Sequence, residues 1–218
     1  MRNSFLLAAL CLVAAGCSPY PSSFRIEKFY PIDDVCDAEA SREGATSPNG
    51  YLDVAPGSPQ FFIGIQIGGA EKITQPATTV GGRVLELPDR DRPILQQQTM
   101  TYRFSKAGLS AKPYVINFTA PFNEEGQIYG VFQLLSPDLA LLLEDNAGPI
   151  EEAFDMFVDV EFSGVMSGSA APISTGKATF PIKVFKSAGG PCTTPLANAC
   201  RYLGQSSYQV FEPSFTCP

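Results

Sequence analysis

The sequence predicts an all-β fold: two packed sheets, one short helix and a disulfide-stapled, loop-rich C-terminal region. Three observations carry that prediction. Apolar and polar residues alternate at period two in most of the ordered-looking runs after residue 23. Gly, Pro, Asn and Asp punctuate those runs as turn signals. Only one segment carries a convincing helix start.

Residues 24–30 open the series as a strand candidate. In "SPNGY" (47–51), Asn-Gly is a tight-turn signal, because both residues reach positive φ at small cost. "FFIGIQI" (61–67) sets Phe61, Ile63, Ile65 and Ile67 on one face, opposite Phe62, Gly64 and Gln66. Residues 82–87, 99–105, 114–119 and 127–135 are less regular candidates. "FNEEGQ" (122–127) reads as a hairpin loop joining the last two, with Gly126 free to take positive φ. Ser136-Pro137-Asp138 supplies an N-cap, a proline at N1 and an acid in the first turn, so "LALLLED" continues as a short helix. "FDMFVDVEF" (154–162) alternates Phe154, Met156, Val158, Val160 and Phe162 with Asp155, Phe157, Asp159 and Glu161. "ATFPIKVF" (178–185) turns Phe180, Ile182 and Val184 inward, and Pro181, lacking an N–H, marks an edge strand or an outward bulge. About eight strands with turns between them and one helix suggest an immunoglobulin-like two-sheet β-sandwich.

Composition excludes whole classes of function. The chain has no His and no Trp. Without imidazole there is no Ser-His-Asp triad, no Cys-His nucleophile pair and no His-ligated metal. Net charge is −7 over the full chain. That sign disfavours nucleic acid and electrostatic docking on an anionic lipid surface.

The N-terminus has the grammar of an export signal. Met1-Arg2-Asn3 is basic, residues 5–15 ("FLLAALCLVAA") are an unbroken apolar run, and small residues follow. A spanning helix needs about 20 apolar residues, so this run is too short to cross and stay. Six cysteines occur, at 11, 17, 36, 192, 200 and 217. Cys11 leaves with the signal. An exported chain with five left over calls for an explanation. If Cys17 carries lipid, the remainder is the even set Cys36, Cys192, Cys200 and Cys217, in an oxidising compartment. Those four permit three pairings. Spacing favours Cys192–Cys200 as a local clip and Cys36–Cys217 as a tie between the domain's ends, with the other pairings open.

"LVAAGC" (12–17) resembles the lipobox of bacterial lipoproteins: a Leu, small or aliphatic residues, then the Cys. The resemblance implies cleavage between Gly16 and Cys17, acylation of Cys17 and anchorage in a membrane. A single acyl chain binds reversibly, and a second makes the anchor firm. Ser18, where an Asp would retain the protein, implies forwarding to the outer membrane, as in lipoproteins of Gram-negative bacteria. The chain then divides into a signal peptide (1–16), a lipidated tether (17–23, "CSPYPSS") and one β-sandwich domain (24–218). A second resemblance covers much of the mature chain. "GYLDVA" (50–55) and "VEFSG…STGKATFPIKVF" followed by clustered cysteines are similar to uncharacterised lipoproteins of myxobacteria and related predatory bacteria. Those proteins often carry a Cys directly after "FPI.V", where this chain has Phe185, so no disulfide pairing carries over. The resemblance implies an envelope location and no defined activity.

Carboxylates are the plentiful reactive groups. Asp155, Asp159 and Glu161 share one strand face, and residues two apart on a strand lie about 6.5–7 Å apart along the chain. That spacing alone fits a carboxylate-dependent hydrolase. "EDNAGPIEE" (144–152) offers Glu144, Asp145, Glu151 and Glu152 as candidate calcium ligands, without the spacing of a helix-loop-helix site. Glu124-Glu125 falls in the proposed hairpin tip. "PDRDRP" (88–93) is expected as a solvated turn, and the sequon Asn117-Phe118-Thr119 falls within a strand. Phe29, Tyr30 and Phe157 belong either to the core or to a binding patch. The reading as a whole is a lipid-anchored, non-catalytic envelope module that binds or scaffolds. It needs no cofactor, meets the membrane through Cys17 and a partner of its own, and contacts no nucleic acid. The alternatives are a calcium-stabilised binding module and a carboxylate-dependent hydrolase.

Overall fold

The computed structural model describes residues 24–32, 46, 49–55, 59–69, 78–80, 83–85, 93–123, 126–187 and 208–210. Residues 1–23, read above as signal and tether with Cys17, lie outside them, as do Cys36, Cys192, Cys200, Cys217, Glu124 and Glu125. The elements are β1 (Arg25–Tyr30), β2 (Gly50–Asp53), β3 (Phe62–Gly68), β4 (Thr78–Val80), β5 (Arg83–Leu85), β6 (Pro93–Phe104), β7 (Tyr114–Pro121) and β8 (Ile128–Gln133), followed by helix α1 (Pro137–Asn146), a 3₁₀ turn (Ile150–Glu152), β9 (Phe154–Met166), β10 (Pro172–Phe185) and β11 (Tyr208–Val210). The expected all-β character holds, with one α-helix among the described residues.

Two main sheets result. The smaller runs β1-β3-β8 and the larger β11-β2-β10-β9-β6-β7, while β4 and β5 pair only with each other. All pairings are antiparallel except β2 with β10, where Gly50–Asp53 run alongside Ile182–Phe185 in the same direction. The two segments that carry the second sequence resemblance are therefore neighbours in one sheet.

One apolar core lies between the sheets. Phe61, Ile63, Ile65 and Ile67 from the smaller sheet are fully buried, and so are Met156, Val158, Val160, Phe162, Ile182 and Val184 from the larger. Rings cross the gap: Phe132 meets Phe162 at 4.8 Å, and Phe180 meets Phe29 at 5.2 Å and Phe61 at 5.9 Å. Each fully buried Phe or Ile contributes about 1.5–3 kcal/mol relative to exposure. The predicted inward faces of 61–67, 154–162 and 180–184 are the faces that pack.

Helix α1 starts as its sequence dictates. Ser136 Oγ accepts the Leu139 N–H at 3.1 Å, and Pro137 occupies the first turn. Leu139 and Leu143 bury one side. The C-terminal end is held from outside the helix, where Lys106 Nζ donates to the Asn146 carbonyl at 2.7 Å.

Four expectations need correcting. First, the chain does reverse between Asn123 and Gln127, with Asn123 N donating to Gln127 O at 2.9 Å and Gly126 at φ 73°. Yet β7 pairs with β6 and β8 with β3, so the turn crosses between sheets and is no hairpin loop. Second, β10 is an edge strand only in part, unpaired on one side among the described residues before Ile182. β9 flanks it throughout, and β2 joins its other side from Ile182 onward, leaving Pro181 one residue before that ladder begins. Third, Gly50 heads a strand. Its missing Cβ leaves room for the Phe61 ring, which a side chain there would overlap. Fourth, the described strands number eleven and not about eight, one of them, β11, in the C-terminal region read as loop.

Candidate functional site

The outer face of the larger sheet carries three of the acids that sequence reading singled out, Asp155, Asp159 and Glu161. Antiparallel register sets Asp159 of β9 between Thr101 of β6 and Thr179 of β10. The same register sets Phe157 between Arg103 and Pro181, and Glu161 between Thr99 and Lys177. Period-two geometry keeps all of them on the side away from the core.

A network fixes the middle of this face. Arg103 grips Asp159 through two bonds, Nη2 to Oδ1 at 2.8 Å and Nε to Oδ2 at 3.0 Å. Thr179 Oγ1 donates to the same Oδ1 at 2.6 Å. The Arg103 guanidinium also lies 5.4 Å from the centre of the Phe157 ring. Beside this group, Lys183 pairs with Asp155 at 3.1 Å, and Ser174 Oγ donates to Glu161 at 2.7 Å. The acids of β9 thus stand between the cations of β6 and β10, and the face carries little net charge on a chain that is acidic as a whole.

The electrostatics follow from the geometry. Hydrogen bonding from Arg103 holds the Asp159 carboxyl below its ordinary range, with Thr179 adding to it and partial burial opposing. The same contact raises the Arg103 guanidinium and keeps it charged. A general acid in glycoside cleavage needs the opposite, a carboxyl pushed upward. Asp159 is committed to an ion pair, and Glu161 accepts from Ser174 on the same open sheet surface.

The calcium candidates are placed apart from this face. Glu144 and Asp145 lie in the last turn of α1, and Glu151 and Glu152 in the 3₁₀ turn. Among the described residues no three acidic or Cys side chains converge on a cation-sized site. Two protein donors hold the intervening loop instead, Lys106 Nζ on Asn146 O and the Lys186 N–H on Gly148 O at 2.7 Å.

The aromatic candidates separate cleanly. Tyr30 is fully buried and Phe29 packs on Phe180, so both belong to the fold. Phe157 stays partly open on the outer face beside Arg103. Sequence reading found Asp159, Glu161 and Phe157 but missed the roles of Thr179, on the next strand, and of Arg103, 56 residues away. Opposite charges at diagonal positions of two strands, Arg103 opposite Phe157 and Asp159 opposite Thr101, are the available signal, and it needs the register to be read.

Two other features complete the picture. Asp53, in "GYLDVA", is 1% exposed and clasps the end of β10. Its Oδ1 accepts from Ala55 N and Ser187 N, each at 3.0 Å, and Oδ2 accepts from Ser187 Oγ at 2.7 Å. Phe185 is buried beside this clasp. An open cleft of about 550 Å³ lies where Lys112, Pro113 and Tyr114 meet Ser136, Pro137 and Asp138. It holds one base and one acid, Lys112 and Asp138. No protein-family model matches the chain, and no curated protein matches it either.

Proposed function

We propose that this protein is a lipid-anchored, non-catalytic binding module of the bacterial envelope, built as an immunoglobulin-like sandwich that presents the outer face of its larger sheet to a protein partner. One observation carries the binding assignment: Arg103 is pinned by Asp159 and stacked on Phe157 in the middle of that face. Arg and aromatic side chains dominate binding energy at protein interfaces, and an Arg already held in place loses less entropy on contact. The near balance of charge on the face lowers the desolvation penalty of covering it.

Strand succession supports the immunoglobulin-like reading. β1, β3 and β8 stand where strands A, B and E stand in that fold, and β10, β9, β6 and β7 where G, F, C and C′ stand. Helix α1 occupies the E–F connection. The Trp of antibody domains is absent, and Phe61, Phe162 and Phe180 fill the core instead. The anchor rests on "LVAAGC" and on the even set of cysteines left once Cys17 is acylated. Ser18 supports the outer membrane as destination.

Proximity cross-linking in the native host tests the reading. Wild type is expected to fractionate with membrane and to capture one dominant protein. Cys17→Ala should leave the membrane fraction, whereas Arg103→Glu should stay there and lose the captured protein. Capture unaffected by Arg103→Glu would remove the outer face from the proposal, and unchanged fractionation of Cys17→Ala would remove the anchor.

A further inference from the structure

The connection between β6 and β7 (residues 105–113) runs beside helix α1 and meets it differently at its two ends. Near its start, Lys106 Nζ donates to the Asn146 carbonyl at the end of the helix. Near its finish, Lys112 and Pro113 face Pro137 and Asp138 across the open cleft of about 550 Å³. That volume is typical of small-ligand sites. The walls are set before anything binds. Pro113 and Pro137 have fixed φ, Ser136 caps the helix through the Leu139 N–H, and Tyr114 opens β7 opposite Met100. Tyr114 and Leu142 give the cleft apolar surface, both only partly buried against the core.

The charges of the cleft differ from those on the sheets. Arg103 is matched with Asp159, Lys183 with Asp155 and Arg25 with Glu27. Lys112 and Asp138 line the same cleft, yet neither forms an ion pair with the other or with any charged group among the described residues. Apolar walls with one unmatched cation and one unmatched anion complement a molecule that carries both charges around an apolar middle. We infer that the cleft binds a short zwitterionic peptide, a di- or tripeptide with free ends. Its carboxylate meets Lys112, its ammonium meets Asp138, and its side chains lie on Tyr114 and Pro137. A simple anion would satisfy Lys112 and be repelled by Asp138, and a simple cation would fail in the mirror-image way. A single amino acid would leave much of the volume empty. The full charge of Asp138 outweighs the roughly half positive charge of the helix start, so the ammonium is held there. Ser136 adds little selectivity, because its oxygen is taken by the cap. The inference is independent of the lipid on Cys17 and of the Arg103 face.

The test is isothermal titration calorimetry on the full chain in detergent, with the dipeptide alanyl-phenylalanine as probe. The free dipeptide should bind with a Kd of roughly 0.1–1 mM. Its N-acetyl and C-amide derivatives should each bind about tenfold more weakly, the loss expected for one charged contact. Lys112→Gln should weaken the free dipeptide by a similar factor and then bind it and the amide alike, because the carboxylate has lost its partner. Asp138→Asn should do the same for acetylation. Lys186→Gln, an exposed lysine outside the cleft, should leave binding unchanged. Melting temperatures check the fold of each variant, and if one cleft variant misfolds, the cycle through the other decides. No heat of binding up to roughly 10 mM dipeptide overturns the inference. So does binding that is blind to both caps, a capping effect undiminished in its matching variant, or an equal loss in Lys186→Gln.

Discussion

Asp53 shows how a single side chain holds two distant segments together. It is buried, accepts three hydrogen bonds and ties the exit of β2 to Ser187 just beyond β10. Removing the carboxylate strands two partly buried N–H donors and a hydroxyl, and hydrogen bonds to charged groups contribute about 1.5–3 kcal/mol each at most. Asp53→Ala is expected to cost about 2–4 kcal/mol in urea unfolding, with an unchanged slope. The residue was visible in "GYLDVA" as part of a pattern, but its role was not, because its partner lies 134 residues away. Arg103 and Asp159 were equally hidden as a pair. Their ion pair makes a pH prediction. A carboxyl depressed in the folded state adds stability above its unfolded pKa of about 3.9 and loses it as pH falls through the lower folded value. The difference in unfolding midpoint between wild type and Arg103→Met should thus be largest near neutrality and shrink in acid. A difference independent of pH would mean that stacking on Phe157, rather than charge, holds the arginine.

Elements were the most legible level. The alternation in 61–67 and 154–162 named the inward residues correctly, because a one-residue slip would have turned every apolar side chain to water. The cap at Ser136 likewise fixed the start of α1, and Ser136→Ala is expected to lower stability by about 1 kcal/mol, read by thermal unfolding with helix loss. What failed was partner choice. The turn at 122–127 has the local chemistry of a hairpin, yet a turn sequence records only the reversal and not which sheet each strand joins. Pro181 was half legible: its missing donor falls where β10 has a single partner, and the ladder with β2, which no local signal announces, begins one residue later. Glycine was undervalued as well. Tyr30 lies flat over Gly64, where a Cβ would overlap its ring, so an added methyl must displace a fully buried tyrosine. Gly64→Ala should cost about 1–3 kcal/mol, a typical overpacking penalty, measured by chemical denaturation. A neutral Gly64→Ala would mean that the ring relaxes freely.

At the scale of the molecule, the pieces make a two-sheet body with a polar, charge-balanced outer face and an open cleft beside α1. Composition gave the class, since period-two patterning over a chain of this length leaves few alternatives to packed sheets. The order β1-β3-β8 against β11-β2-β10-β9-β6-β7 was not legible, because strand order depends on long-range pairing that no local signal encodes. The proposal of an anchored binding module joins this body to the cysteine arithmetic of the chain. Intact-mass analysis of the mature protein from its native membrane tests that junction most directly, with thiol alkylation before and after reduction. The account predicts a chain beginning at Cys17 and carrying acyl mass, with Cys36, Cys192, Cys200 and Cys217 alkylated only after reduction. A mature chain without acyl mass, whose Cys17 alkylates at once, would contradict it.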